Sequence, residues 1–254
     1  MHGRFLRQTL LDAGICTDGL VLARDVFTTL AFVSLDDRGE RTFSFARKPG
    51  ADTCLRTEEL DREVLTHTRV LHVGSLSLTD EPARSATFAA VEQAAAAGAV
   101  ISYDPNYRAA LWPDRETAAA QMRAMVPYVD VMKLSDEETE LLTGAADPAE
   151  AAARLLARGV SCVAVTLGEK GALTATGGGM RTVPGFSVPV ADTTGAGEAF
   201  WGGFLHYLLA LDKPPAALTA EDAAACAHWG NAVAALCITR RGAIPAMPAP
   251  GEVS

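Results

Sequence analysis

Nine residues, Asp192-Thr-Thr-Gly-Ala-Gly-Glu-Ala-Phe200, combine a strand exit, a glycine-rich turn, a carboxylate and the start of an apolar helix. Gly195 and Gly197 open backbone angles closed to other residues, and the small Ala196 between them lets a ligand approach the main chain. The run that follows, Phe200-Trp-Gly-Gly-Phe-Leu-His-Tyr-Leu-Leu209, has an apolar helical pattern, so the N–H groups of the turn fall at a helix N-terminus. Unpaired amides and the positive end of the helix dipole both favour a phosphate there. Glu198 lies in the first helical turn, where a carboxylate either takes a proton or merely complements the dipole. Taken alone, the turn fits an anion site with a base beside it and a structural helix entry equally well.

The elements that must hold such a turn in place are legible along the chain. With 254 residues and 49% hydrophobic composition, the chain can bury a substantial core. A formal net charge of −9 and the lack of any Lys/Arg run argue against a nucleic-acid partner. No apolar stretch reaches the roughly 18 residues of a membrane span, and no charged-then-apolar leader follows Met1. The expectation is a cytoplasmic protein with no membrane partner. Five cysteines, Cys16, Cys54, Cys162, Cys226 and Cys237, show no C-x-x-C pair and read as reduced, mostly buried thiols. The histidines lack metal-ligand spacing, so no structural metal site is expected.

A short amphipathic helix around Phe5 to Ala13 leads into two β-rich runs, Thr28 to Leu35 and Arg41 to Phe45, around the polar turn Asp36-Asp-Arg-Gly39. That pattern predicts a hairpin within Val21 to Arg47. From Arg69 the chain alternates strands at 70–74, 100–103, 129–133 and 162–166 with helices at about 82–97, 115–125, 136–142 and 148–156. Such alternation predicts an α/β fold, a mostly parallel sheet with helices on both faces. Short strands turn at Gly177 to Gly179, the nonapeptide follows, and a last helix spans about Ala220 to Leu236. The alanine-rich stretches fall on helices, where alanine has the best propensity.

Ligands of open α/β sheets bind at the carboxyl ends of the strands. That rule selects Ser75, Asp104-Pro-Asn-Tyr-Arg108, Ser135 to Glu138, Thr166 to Gly171 and Asp192 to Glu198. Their convergence on one edge is the argument for a catalytic site. Against it, Asp104 and Asn106 also suit a plain Asp-Pro turn, and Glu137, Glu138 and Glu140 also suit a solvated helix face. Trp201, Phe204 and Tyr207 read as core packing, and a buried Asn231 can simply satisfy neighbouring backbone.

These blocks resemble, in order and over nearly the whole chain, those of the ribokinase-like (PfkB) sugar kinases, most closely the bacterial fructokinases. The nonapeptide is similar to the family's D-T-x-G-A-G-D-x-F signature. Asp104-Pro-Asn-Tyr-Arg108, Lys133-Leu-Ser-Asp-Glu-Glu138, Val165 to Gly171 and Arg241-Gly-Ala-Ile-Pro-Ala246 match further blocks. The resemblance implies one ribokinase-like domain over 1–254 with a small β lid at about 21–47. It implies ATP and Mg2+ as cofactors, K+ as a further ion, and phosphorylation of a small carbohydrate, fructose first. Gly195, Ala196 and Gly197 would then form the anion hole and Glu198 the base. Thr166, Gly168, Lys170 and Asn231 would hold the nucleotide, and Glu138 would help place magnesium and phosphates. Asp104, Asn106, Arg108, Phe43 and Arg47 fall to the sugar, and Asp192 and Thr194 to a monovalent cation. A homodimer through the lid is implied by analogy with some relatives. The rival readings are a catalytically impaired nucleotide-binding remnant, or a kinase of the same fold acting on a sugar acid or nucleoside.

Three departures from the family pattern stand out. Ser135 replaces an asparagine, and a hydroxyl still holds a metal-bound water. The family opens with a sugar-binding strand and a G-G-x-x-x-N-x-A helix, whereas this sequence begins Met1-His-Gly-Arg-Phe-Leu, within a later element. The expectation is a late-assigned start or a remnant, short of a strand-helix-strand unit of roughly 30 residues. Third, Glu198 stands where the family has aspartate, displacing the carboxylate by on the order of 1 Å, and such misplacement costs roughly 100-fold in rate. Glu198→Asp is therefore expected to raise turnover measured at saturating sugar and ATP. Unchanged or lower turnover would overturn that account of the glutamate.

Overall fold

The computed structural model describes residues 1–35, 41–249 and 251–253, and leaves aside the side chains of 33–35 and 41–43. The expected Asp36 to Gly39 turn and the Phe43 side chain therefore lie outside the described residues. The chain forms two compact units, Met1–Ile101 with Pro105–Tyr128, and Ser102–Asp104 with Val129–Ser254.

In the first unit, helix α1 (His2–Asp12) precedes strands β1 (Leu30–Leu35) and β2 (Arg41–Ala46), which pair antiparallel as expected. The register sets Phe32 opposite Ser44 and Ala31 opposite Phe45. One side chain anchors the foot of this hairpin. Arg47 is buried, and its Nε donates to Asp52 Oδ2 at 2.7 Å, Nη1 to Thr79 Oγ1 at 2.8 Å and Nη2 to the Leu76 carbonyl at 2.7 Å. A planar guanidinium meets three acceptors in different directions better than any other side chain. Helix α2 (Arg62–His67), strand β3 (Val70–Gly74), helix α3 (Ala83–Ala96), the start of strand β4 (Val100–Asp104) and helix α4 (Arg115–Met125) complete the unit. The caps follow sequence rules, with Asp61 accepting from Val64 N and Asp114 from Thr117 N.

The second unit takes the end of β4 and adds β5 (Val131–Ser135), β6 (Cys162–Thr166), β7 (Ala172–Thr176) and β8 (Gly179–Val183) in that spatial order. β4, β5 and β6 run parallel, whereas β7 and β8 return antiparallel. Helices α5 (Asp136–Thr143), α6 (Pro148–Leu156), α7 (Ala196–Leu211) and α8 (Ala220–Ile238) flank the strands, with α6 on β6 and β7 and α8 on β7 and β8. The observed β5 begins two residues later than the 129–133 expected from apolarity. Val126–Tyr128 is a 3-10 turn, and the Asp130 carbonyl accepts from Ser161 and Cys162 N ahead of the regular ladder. α7 is held to β4 by Trp201 Nε1 donating to Ser102 Oγ at 2.8 Å, and Trp201 stacks on Phe204 with ring centroids 4.7 Å apart. Both aromatic residues are buried, as core packing requires.

No helix among the described residues is long and apolar enough to cross a membrane. All five cysteines are free: Cys16 is exposed, Cys54 half-buried, and Cys162, Cys226 and Cys237 buried. Burial pushes the Cys226 thiol up to about 12, and Cys162 higher still. Because the thiolate is the reacting form, a thiol reagent at pH 8 should modify Cys16 rapidly and Cys54 slowly, leaving the three buried thiols silent until denaturant is added. Rapid native labelling of Cys162 or Cys226, read by peptide mass spectrometry, would contradict this packing.

Candidate active site

The nonapeptide folds as its composition predicts. Gly195 is the N-cap of α7 at φ 83° and ψ 0°, a left-handed conformation, and a Cβ there would lie 3.2 Å from Ala243 Cα and Cβ. Conformation and crowding both call for glycine. Asp192 ties the turn down from within and from afar. Its Oδ1 accepts from Thr194 N at 2.9 Å and its Oδ2 from Gly242 N at 3.0 Å. Ala199, Cys237 and Ala246 form a small buried cluster under the turn, with Val233 and Met247 packed against it. Amides of a first helical turn have no acceptor within the helix. Of these, Ala196 N–H turns back to the Thr193 carbonyl at 3.2 Å, so its share of the cradle is spent locally. Glu198 is exposed in the same first turn.

Against this turn lies a buried ion pair. Lys133 Nζ is 2.8 Å from Asp104 Oδ2, with the two side chains only 7% and 8% exposed. A Cβ on Gly197 would come within 3.3 Å of that Nζ. The Asp104 carboxyl sits above its ordinary range, because burial outweighs the Lys133 charge and hydrogen bond, and Glu138 and Glu198 push it the same way. Its Oδ1 is buried without a hydrogen-bond partner. Neighbouring Tyr103 is fully buried with an unpartnered hydroxyl, raised by burial first and then by Glu138 and Asp104. Asp104 thus feels two further carboxylates, Glu138 and Glu198, besides its lysine partner.

Glu138 is buried and closes a capping box, its Oε2 accepting from Ser135 N at 2.8 Å. The solvated-face reading holds for Glu137 and Glu140, which are exposed, and fails for Glu138, which the capping box turns inward. Ser135 and Thr166 are register partners at the ends of β5 and β6, and Thr166 Oγ1 donates to the Leu134 carbonyl at 3.2 Å. Gly168, at φ +60°, and exposed Lys170 form the tight turn after β6, closed by Leu167 N donating to the Gly171 carbonyl at 2.8 Å. Asn231 Nδ2 donates to the Val183 and Pro184 carbonyls at 3.3 and 3.1 Å, so its amide nitrogen joins α8 to the exit of β8.

Other candidate residues belong to the first unit. Asn106 adopts φ 49°, the left-handed turn expected after Asp-Pro. Arg108 is exposed and its Nη1 donates to the Tyr107 carbonyl at 2.9 Å. Arg47 spends all three nitrogens on the hairpin clamp described above. Lys133 opens the Lys133-Leu-Ser-Asp-Glu-Glu138 block, yet nothing in that block's pattern assigns it a partner. The available signal was a lysine inside the buried run Val131-Met-Lys-Leu134, since a buried charge needs a partner.

No group of three or more His, Cys, Asp or Glu among the described residues is placed to hold a metal ion directly. Asp192 offers little to one, because both its oxygens already accept backbone N–H groups.

A family model described as pfkB family carbohydrate kinase matches residues 1–250. Fructokinase-1 of Zea mays is 40% identical over 253 residues, which is 99% of this chain and 77% of the maize protein. The crystal structure of fructokinase with bound ATP from Xylella fastidiosa superposes with a TM-score of 0.89 at 36% identity, covering 96% of this chain and 78% of that one. The fructokinase from Vibrio cholerae O395 in its fructose, ADP and calcium ion bound form gives a TM-score of 0.84 at 36% identity, over 97% and 78% of the two chains.

The two hydrogen bonds that Asp192 accepts are charge-assisted and partly exposed, which sets their worth at about 1–3 kcal/mol together. Asp192→Ala should lower the unfolding free energy in urea by that amount. A stability equal to wild type would mean that the turn holds its shape without this carboxylate.

Proposed function

The chain belongs to the pfkB family of carbohydrate kinases, and we propose that it transfers the γ-phosphate of ATP to a hydroxyl of fructose. The single observation that supports this reading best is the left-handed Gly195 turn at the start of α7. It stands beside the exposed Glu198 and against the buried Lys133–Asp104 pair. Phosphoryl transfer needs an oriented nucleophile, donors for the charge on the moving group, and water exclusion. Glu198 orients the sugar hydroxyl and takes its proton, while Gly195 and Gly197 present main-chain amides to the phosphoryl oxygens. Thr166, Gly168, Lys170 and Asn231 line the nucleotide side, and Glu138 steadies the metal-bound phosphates through water. Magnesium, when bound with ATP, neutralises charge between the phosphates. Asp192, Thr194 and nearby carbonyls take a K+ ion. Asp104, Asn106 and Arg108 face the sugar. The hairpin of β1 and β2 with Phe43 serves as lid and as the contact of a homodimer, and Arg47 enters as its anchor. A cytoplasmic location fits five free cysteines.

The Vibrio cholerae enzyme is bound to fructose and ADP and the Xylella fastidiosa enzyme to ATP, and that chemistry favours fructose for this chain. The purified 254-residue chain, supplied with MgATP and a panel of keto sugars, sugar acids and nucleosides, should form ADP fastest with fructose. Sedimentation of the same preparation reads the dimer. Nucleotide binding without sugar-dependent ADP would support the impaired-remnant reading instead. Preference for a sugar acid or nucleoside would move the chain to another branch of the fold.

A further inference from the structure

Lys133 is placed at odds with ordinary helix electrostatics. A cation beside a helix N-terminus opposes the dipole, and a first turn normally collects acidic residues instead. Yet the Lys133 ammonium lies 3.3 Å from where a Gly197 Cβ would stand, with its Cε 3.5 Å away, in the first turn of α7. Burial compounds the cost. The side chain is 7% exposed on a strand whose neighbours Met132 and Leu134 are fully buried, and dry ion pairs seldom recover their desolvation. The pair is also incompletely satisfied, because Asp104 uses Oδ2 on the lysine and leaves Oδ1 buried without a partner. A charge held against the dipole, in dry surroundings, by a half-satisfied carboxylate gains a rationale if an anion arrives above it.

We propose that Lys133 supplies the positive charge of the phosphoryl-transfer centre through the side-chain-free face of Gly197, with Asp104 as the positioning residue that holds its ammonium there. The proposal rests on the kinase reading above and adds a residue to it. During transfer, the sugar oxygen bonds to the γ-phosphorus as the bond from that phosphorus to the β-bridging oxygen breaks. The hydroxyl proton goes to Glu198. Lys133 keeps its protons throughout and forms no bond, so its contribution is greatest when charge gathers on the oxygens in flight. Glycine at 197 lets the ammonium and the phosphoryl oxygens share opposite sides of one thin stretch of backbone.

The decisive comparison is binding of MgADP alone with binding of MgADP plus tetrafluoroaluminate and sugar, a mimic of the phosphoryl group in flight. Lys133→Met should keep MgADP affinity near wild type, lose the extra affinity conferred by the mimic, and lower kcat by about 100-fold with sugar KM little changed. Lys133→Arg should restore part of both losses. Where Lys133→Met folds poorly, Lys133→Gln, whose amide can still donate to Asp104, provides a folded protein for the same comparison, again without the gain from the mimic. The proposal is overturned if either neutral variant keeps the wild-type gain, or if kcat and MgADP affinity fall together in proportion to lost stability. A wild-type chain that binds the mimic tightly but shows no turnover sinks the kinase reading alone, since the lysine contrast is read without catalysis.

Discussion

An ammonium and a carboxylate 2.8 Å apart, both almost dry, set the terms for the second unit of this protein. Lys133 comes from the middle of β5 and Asp104 from the end of β4, so the contact fixes two parallel strands at the edge where loops carry chemistry. The pair also dictates what can sit above it. A side chain at Gly197 would crowd the lysine end, and Trp201 ties the first turns of α7 to Ser102 on β4, the strand that carries Asp104. Glu138 and Glu198 both act on Asp104 in the direction opposite to Lys133. Stability alone is a weak reason for such an arrangement, since a hydrophobic pair of similar volume often does as well.

Much of this was legible because it is local. The alternation of strands and helices, the antiparallel pairing of β1 with β2 and the glycine turn at Gly195 all depend on residues close in sequence, whereas the capping box of Ser135 and Glu138 is local too but went unread. The start of β5 was misplaced by two residues because Val129 is as apolar as a strand residue, while its position is set by a 3-10 turn that apolarity cannot reveal. The partners of Arg47 and Lys133 were out of reach for the same kind of reason. Arg47 meets Thr79 32 residues away, and Lys133 meets Asp104 29 residues away, and no spacing rule predicts either. The site was thus readable as a set of loops and unreadable as a set of contacts.

Arg47 shows how a single side chain can be reassigned by its acceptors. From sequence it is a cation beside a lid and suits an anionic or polyhydroxylated ligand. In the fold its nitrogens meet Asp52, Thr79 and the Leu76 carbonyl, three acceptors that together specify its orientation. It therefore belongs to the foot of the hairpin, which it ties to Asp52, Thr79 and the Leu76 carbonyl within the first unit.

The hydrogen bond from Gly242 to Asp192 spans 50 residues of chain, across the whole of α7 and α8. The other bond, from Thr194 N, is local, so one oxygen of Asp192 senses the turn itself and the other the docked arrangement of both helices. A substitution that shifts α8 or the segment after it therefore reaches the Gly195 turn through this carboxylate without altering the turn's own sequence.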